Sequence, residues 1–191
     1  MDFFSTDTNF HQLYPPDIAA LASRHWTPIS IAKEAAAFLS VGQQPRILDI
    51  GSGVGKFCMV GAKNHPEAFF AGIEQRPQLT NIAQKIARQL KLTNTSFITG
   101  DFTKIDFSQY QHFYFYNAFY ENLIDNDAID QTFIQTPELY NLYNRKLHNL
   151  LKKLPAGTRI ASFHSSDNEM PKDYEVVGVG SNEDLKFWIK I

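Results

Sequence analysis

The sequence predicts an α/β fold, a seven-stranded and mostly parallel sheet with helices on both faces and an antiparallel last strand. Three observations carry this expectation. Short apolar runs alternate with segments whose apolar residues recur at helical spacing, as in parallel strands joined by crossover helices. A glycine turn, Gly51-Ser52-Gly53-Val54-Gly55, stands directly between one such strand and one such helix. The tail, YEVVGVGSNEDLKFWIKI, reads as two strands around a Ser-Asn-Glu-Asp turn, a hairpin whose final strand runs against the rest. At 191 residues the chain suits one domain with a substantial core, divided into an N-terminal helical segment, 1–45, and a core, 46–191.

In order, Asp17 to Ser23 and Ile29 to Leu39 read as short helices with His25-Trp26-Thr27-Pro28 between them. The alanines Ala32, Ala35 and Ala36 give the second helix a close-packing face. Arg46 to Ile50 is a strand, and its acid, Asp49, lies near the carboxyl end. Ala68 to Ile73 is a second strand ending at Glu74. Pro77 then suits a first helical turn, and Leu79, Ile82, Ala83, Ile86, Ala87 and Leu90 extend that helix to about Lys91. Thr95 to Thr99 and His112 to Tyr116 are the third and fourth strands, ended by Gly100-Asp101 and by Asn117. Leu139, Leu142, Leu147, Leu150, Leu151 and Leu154 form a helical stripe closed by Pro155 and Gly157, before a fifth strand from Arg159 to His164. The segment Asn122 to Pro137, rich in Asp and Asn, is expected as a loop near the active site.

Composition narrows the classes. With 43% hydrophobic and 20% charged residues the chain is an ordinary globular one, and its formal charge of −2 carries no strong footprint for nucleic acid. A protein or small-molecule partner is therefore favoured. The single cysteine, Cys58, excludes an intrachain disulfide and a cysteine-based cluster, and no His and carboxylate group has metal-ligand spacing, so no metal is expected. No apolar run approaches a membrane span, and the start, MDFFSTDTNFHQ, lacks the basic and apolar regions of a signal peptide. Cytoplasm is the expected compartment.

The glycine spacing sorts the possible ligands. A dinucleotide fingerprint counted from Gly51 wants a third glycine at position 56, where the chain has Lys56. A phosphate-cradling loop wants glycine at position 50 and Ser or Thr at 57, where Ile50 and Phe57 stand. What remains is D-x-G-x-G-x-G. Glu74, 23 residues after Gly51 at the end of the second strand, has the carboxylate needed to accept both hydroxyls of a ribose.

The turn resembles the first motif of the class I S-adenosylmethionine-dependent methyltransferases. That resemblance implies a Rossmann-like sheet, S-adenosyl-L-methionine as cofactor, and a cofactor site of Asp49, Gly51, Ser52, Gly53, Gly55 and Glu74. It further implies that Asp101 contacts the adenine amino group, Phe102 covers the ring, and the N-terminal segment covers the methionine moiety. Tyr14, His25 and Trp26 are then candidates for substrate contact.

After the fourth strand, Asn117-Ala118-Phe119-Tyr120 is similar to the Asn-Pro-Pro-Tyr of methyltransferases acting on nitrogen, without its two prolines. A closer likeness, over residues 46 to about 165, is to the Dot1-type lysine methyltransferases. Gly51 to Gly55, Gly72 to Glu74, Gly100 to Phe102, and Asn117 to Phe119 match their pattern, although their lysine-rich DNA-binding segments have no counterpart. The resemblance implies methyl transfer to an acceptor nitrogen, a protein lysine or another amine, with Asn117, Phe119 and Tyr120 as catalytic residues and Asn117 also at the cofactor. His25, His164, Glu121 and Tyr120 are candidate bases. Two other readings share the motif. A nucleotide-linked oxidoreductase would use the same turn and Glu74 but lacks the third glycine, and an inactive binding scaffold would not need intact glycines together with Glu74 and Asp101.

Overall fold

The structure, a computed structural model, describes residues 2–116, 136–165, 167 and 170–191. Seven strands form one sheet in the order β3-β2-β1-β4-β5-β7-β6. They are β1 (Arg46–Ile50), β2 (Phe69–Glu74), β3 (Thr95–Thr99), β4 (His112–Tyr116), β5 (Arg159–Phe163), β6 (Tyr174–Val179) and β7 (Leu185–Lys190). The first five run parallel, and β7 is antiparallel to both β5 and β6. The sheet thus has the predicted architecture.

Alternation along the strands divides the core into two layers. Ile47, Phe70, Tyr114 and Ala161 face α4 (Ile29–Leu39), α5 (Lys56–Asn64) and α6 (Pro77–Gln89). Leu48, Ile50, Phe113, Phe115 and Ile160 face the other layer, built on Leu147 and Leu151 of α7 (Pro137–Leu151). The chain order reverses at β1, which pairs β2 on one side and β4 on the other. At such a switch point the loops diverge and open a crevice at the carboxyl ends of the strands.

Strands β1, β3 and β4 and helix α4 occupy the residues that the patterning predicts. Other ends differ for local reasons. Helix α6 stops before Lys91 because that residue turns left-handed, at φ 57°, and the Leu92 N–H bonds back to the Ala87 carbonyl at 3.0 Å. Helix α7 starts before its leucine stripe because the Thr136 hydroxyl accepts from the Leu139 N–H at 3.1 Å and Pro137 suits the first turn. Strand β5 ends at Phe163, since His164 also turns left-handed, at φ 53°.

The N-terminal segment departs most. The helix expected over 17–23 is two short ones, α2 (Pro16–Ala19) and α3 (Ala22–His25), and they follow a further helix, α1 (Asp7–His11), that apolar periodicity did not reveal. Its signal was a cap: the Thr6 hydroxyl accepts from the Asn9 N–H at 3.1 Å, and Asp7 complements the first turn. Among the described residues no helix is long and apolar enough to cross a membrane.

Helix α5 lies close on β2 because Gly61 offers no side chain. A Cβ there would stand 2.3 Å from Cε1 of Phe70, a ring with no exposure. Gly61→Ala is therefore expected to destabilise the protein by about 1–3 kcal/mol through overpacking. Urea unfolding checks this, and Phe70→Leu in the same chain is expected to recover part of the loss.

Candidate functional site

The glycine turn is tied to the end of β2 by three hydrogen bonds. Gly51 and Ser52 both donate their N–H to the Ile73 carbonyl, at 2.9 and 3.0 Å. Glu74 Oε2 accepts from the Gly53 N–H at 3.1 Å, and Oε1 accepts from the Arg76 N–H at 2.9 Å with the Arg76 guanidinium 3.5 Å away. Gly51, Gly53 and Gly55 all have positive φ, at 77°, 51° and 80°. At Gly55 a Cβ would also strike Phe97 at 2.3 Å, whereas nothing lies within 4 Å of a Cβ at Gly53. The turn is therefore packed from beneath at Gly55 and open above Gly53, where a ligand can approach bare backbone.

Asp49 lines the cleft beside this turn, together with Trp26, Thr27, Ser52, Tyr114 and Tyr116. Its carboxyl is buried and pushed up to about 8, chiefly by desolvation; a hydrogen bond from the Cys58 thiol at 3.6 Å pulls the other way, and the Glu74 charge adds to the rise. Ser52 sits directly on β2, since a Cβ at Gly72 would meet its Oγ at 2.5 Å.

The N-terminal segment closes the cleft through side chains far apart in the sequence. Asp7 Oδ1 accepts from the Ile29 N–H at 3.0 Å and from the Lys56 ammonium. Lys56 Nζ also lies 3.4 Å from His11 Nε2 and 5.9 Å from the centre of the Trp26 ring. Burial lowers the Lys56 ammonium from its usual value, while Asp7 holds it up. Thr27 Oγ1 and the Tyr114 hydroxyl share a hydrogen bond of 2.8 Å, joining this segment to β4.

Of the three substrate candidates, His25 and Trp26 line the cleft. Tyr14 does not. Its hydroxyl donates to the Val54 carbonyl at 3.2 Å and its ring packs 4.5 Å from that of Trp26, so it braces the glycine turn from the core.

At the end of β3, Asp101 Oδ1 accepts from the Thr103 N–H at 2.8 Å and caps a 3-10 turn over Phe102–Lys104. Phe102 is buried in the second core layer, edge-on to Tyr143 of α7 at 5.6 Å. Burial, with the Asp101 charge nearby, raises the Tyr143 phenol. Asn117, Phe119, Tyr120 and Glu121, and the 122–135 part of the expected loop, lie outside the described residues. Lys56, Thr27, Tyr114 and Tyr116 line the cleft and were missed by sequence reasoning. Thr27 meets Tyr114, and Lys56 meets Asp7, only through the fold, which leaves no local signal.

Comparison with known proteins agrees with this geometry. A family model described as a methyltransferase domain matches residues 43–176, more than half of the chain. Over 59 residues the chain is 37% identical to a tRNA (guanine-N(7)-)-methyltransferase of Halalkalibacterium halodurans, covering 31% of this chain and 27% of that protein. Over 71 residues it is 35% identical to a protein of the same name from Prochlorococcus marinus, covering 37% and 33%. The matched stretch thus spans a third or less of these curated relatives. Among solved structures, an RNA methyltransferase from Salinibacter ruber in complex with S-adenosyl-L-homocysteine superposes with a TM-score of 0.62 at 22% identity, covering 86% of this chain and 91% of that one. TrmN from Thermus thermophilus gives 0.61 at 14% identity, covering 91% and 52%. At these identities the structural likeness is one of fold.

The buried Asp49 makes stability depend on pH. Its folded value, about 8, lies above the ordinary 3.8, so the folded state holds the proton more tightly. This contribution is complete below the ordinary value and is lost as pH rises toward 8. Asp49→Asn, neutral at every pH, is expected to flatten the decline in stability between pH 5 and 8, read by urea unfolding at a series of pH values.

Proposed function

We propose, for a chain that belongs to the methyltransferase domain family, that it moves a methyl group from S-adenosyl-L-methionine to a nitrogen acceptor. The observation that carries this reading is the D-x-G-x-G-x-G turn bonded through Gly53 to a carboxylate at the end of β2, on the open side of the switch point. The residues present fit the donor. Gly53 offers bare backbone beneath open space, and in this reading Glu74 takes the ribose hydroxyls, Asp101 the adenine amino group and Asp49, which lines the cleft, the methionine end. In this reading Ser52, Gly51 and Gly55 belong to the cradle, Phe102 to the adenine end and, by the resemblance of the sequence after the fourth strand, Asn117 to the methyl-transfer end.

The donor supplies a sulfonium methyl that is already activated. The chain's task is to hold the acceptor in line, at roughly 3–3.5 Å, and to keep the cleft dry. Trp26, His25 and Tyr116 form the wall at the cleft, and the resemblance of the sequence after the fourth strand assigns Asn117, Phe119 and Tyr120 to orienting the acceptor nitrogen.

An RNA base nitrogen is the acceptor to test first. The partial relatives are named for a guanine nitrogen of tRNA, and this outweighs the protein or small-molecule amine that near-neutral charge favoured. Work on RNA at this modest charge would rest on shape and stacking more than on electrostatic attraction. Cytoplasm is the compartment we assign to it.

Thermal denaturation with S-adenosylhomocysteine or NAD checks the donor. S-adenosylhomocysteine at a hundred times its dissociation constant is expected to stabilise the protein by about 2.7 kcal/mol, with no response to NAD. Stabilisation by NAD alone would overturn the reading. Glu74→Ala is expected to abolish most of the ligand response and also to cost about 1–3 kcal/mol without ligand, since the buried Arg76 N–H and the part-buried Gly53 N–H lose their acceptor. Asn117→Ala is expected to bind S-adenosylhomocysteine normally yet transfer little methyl label to bulk tRNA.

A further inference from the structure

Resting on the methyl-transfer reading above, we propose that Lys56 is a specificity-determining residue of the cleft, whose ammonium donates to the carboxylate of the donor's methionine end while Asp49 takes the amino group of that end. The juxtaposition behind this is at the start of α5. Lys56 is the first residue of that helix, and Cys58, two residues on, donates its thiol to Asp49 at 3.6 Å. An acid and a cation thus stand at one helix start, and both residues line the cleft. An amino-acid end carries one charge of each sign, and this is the pair that matches it.

The surroundings of Lys56 favour a second anion. Its side chain is 4% exposed, so water does little to complete its hydrogen bonds. Nζ carries three N–H groups. One goes to Asp7 Oδ1, a second lies within reach of His11 Nε2 at 3.4 Å, and among the described residues the third has no acceptor. Nζ also stands 5.9 Å from the centre of the Trp26 ring, another part of the cleft lining.

Asp7 neutralises this ammonium incompletely. Its side chain is 44% exposed, and the oxygen that meets Lys56 also accepts from the Ile29 N–H. A buried ammonium with one exposed and shared counter-ion remains costly, and a second carboxylate offsets that cost. The helix acts in the same sense. Gly55 supplies no side-chain cap and the first turn of α5 contains no acid, so the positive end of the helix is left for a ligand to complement. Carboxylate binding by Lys56 thus follows from burial, a spare donor and an uncompensated helix end acting together.

Calorimetric titration with three adenosyl ligands reads this without turnover. S-adenosylhomocysteine carries the whole amino-acid end, its decarboxylated analogue keeps only the amino group, and 5′-methylthioadenosine has neither. The parent chain is expected to bind S-adenosylhomocysteine about 10- to 100-fold more tightly than the decarboxylated analogue, the worth of one charge-assisted hydrogen bond. Lys56→Gln is expected to lose that preference, to bind the decarboxylated analogue at least as tightly as the parent, and to bind 5′-methylthioadenosine unchanged. Asp7→Asn, which can still accept from the Ile29 N–H, is expected to keep the preference or enlarge it, since the ligand then becomes the main counter-ion.

A parent chain that binds the first two ligands alike would overturn the role of Lys56 with no variant needed, and leave the donor reading standing. A Lys56→Gln chain that retains the preference would do the same. Equal losses for all three ligands in Lys56→Gln and in Asp7→Asn would reduce Lys56 to a tie that holds the N-terminal segment, and also sink the proposal. Failure of the parent chain to bind any of the three would overturn the donor itself.

Discussion

The end of β2 is the point on which the cleft depends. Within two residues it supplies the Ile73 carbonyl, which takes two N–H groups of the glycine turn, and the Glu74 carboxylate, which takes a third and also the N–H of Arg76 in the following connection. A turn with positive φ at three glycines has little intrinsic preference for one shape, because glycine loses more conformational freedom than any other residue on ordering. Three hydrogen bonds to a strand that is itself buried between β1 and β3 remove that freedom. The shape of the cradle is thus set before a ligand arrives, so little ordering cost remains for binding.

The N-terminal segment uses a different economy. Its helices are too short to be stable alone, and they hold the cleft through aromatic packing and a few polar ties. Asp7 joins three elements at once by accepting from the start of α4 and from Lys56 at the start of α5. A lysine buried at a helix start is costly twice, by desolvation and by the positive end of the helix dipole, and it is tolerated here only because Asp7 is adjacent. Tyr14 and Trp26 fill the space beneath, and Thr27 with Tyr114 closes the seam. The wall that meets an acceptor is consequently built from residues that the cofactor cradle also needs.

How much was legible in the sequence differs between the halves. In the core, strands such as Arg46–Ile50, Thr95–Thr99 and His112–Tyr116 appeared at their predicted residues because a buried parallel strand is a short apolar run with sharp ends. The glycine turn and Glu74 were legible because their chemistry depends on neighbours in sequence. Helix α1 was missed because five residues hold little periodicity. The cleft role of Tyr114 and the bracing role of Tyr14 were missed because strand alternation says which face a side chain takes, not which distant hydroxyl or carbonyl it meets.

The sequence by itself determined the architecture and the cofactor class, since apolar periodicity and glycine spacing are local properties that survive without any knowledge of distant contacts. Tertiary structure alone decided the electrostatics of the cleft. Asp49 is raised because the surrounding layers exclude water from it, Lys56 is buried against an aspartate 49 residues away, and His164 meets Asp184 only because β7 returns antiparallel beside β5. Desolvation and charge pairing act through space, and only the folded chain defines those distances.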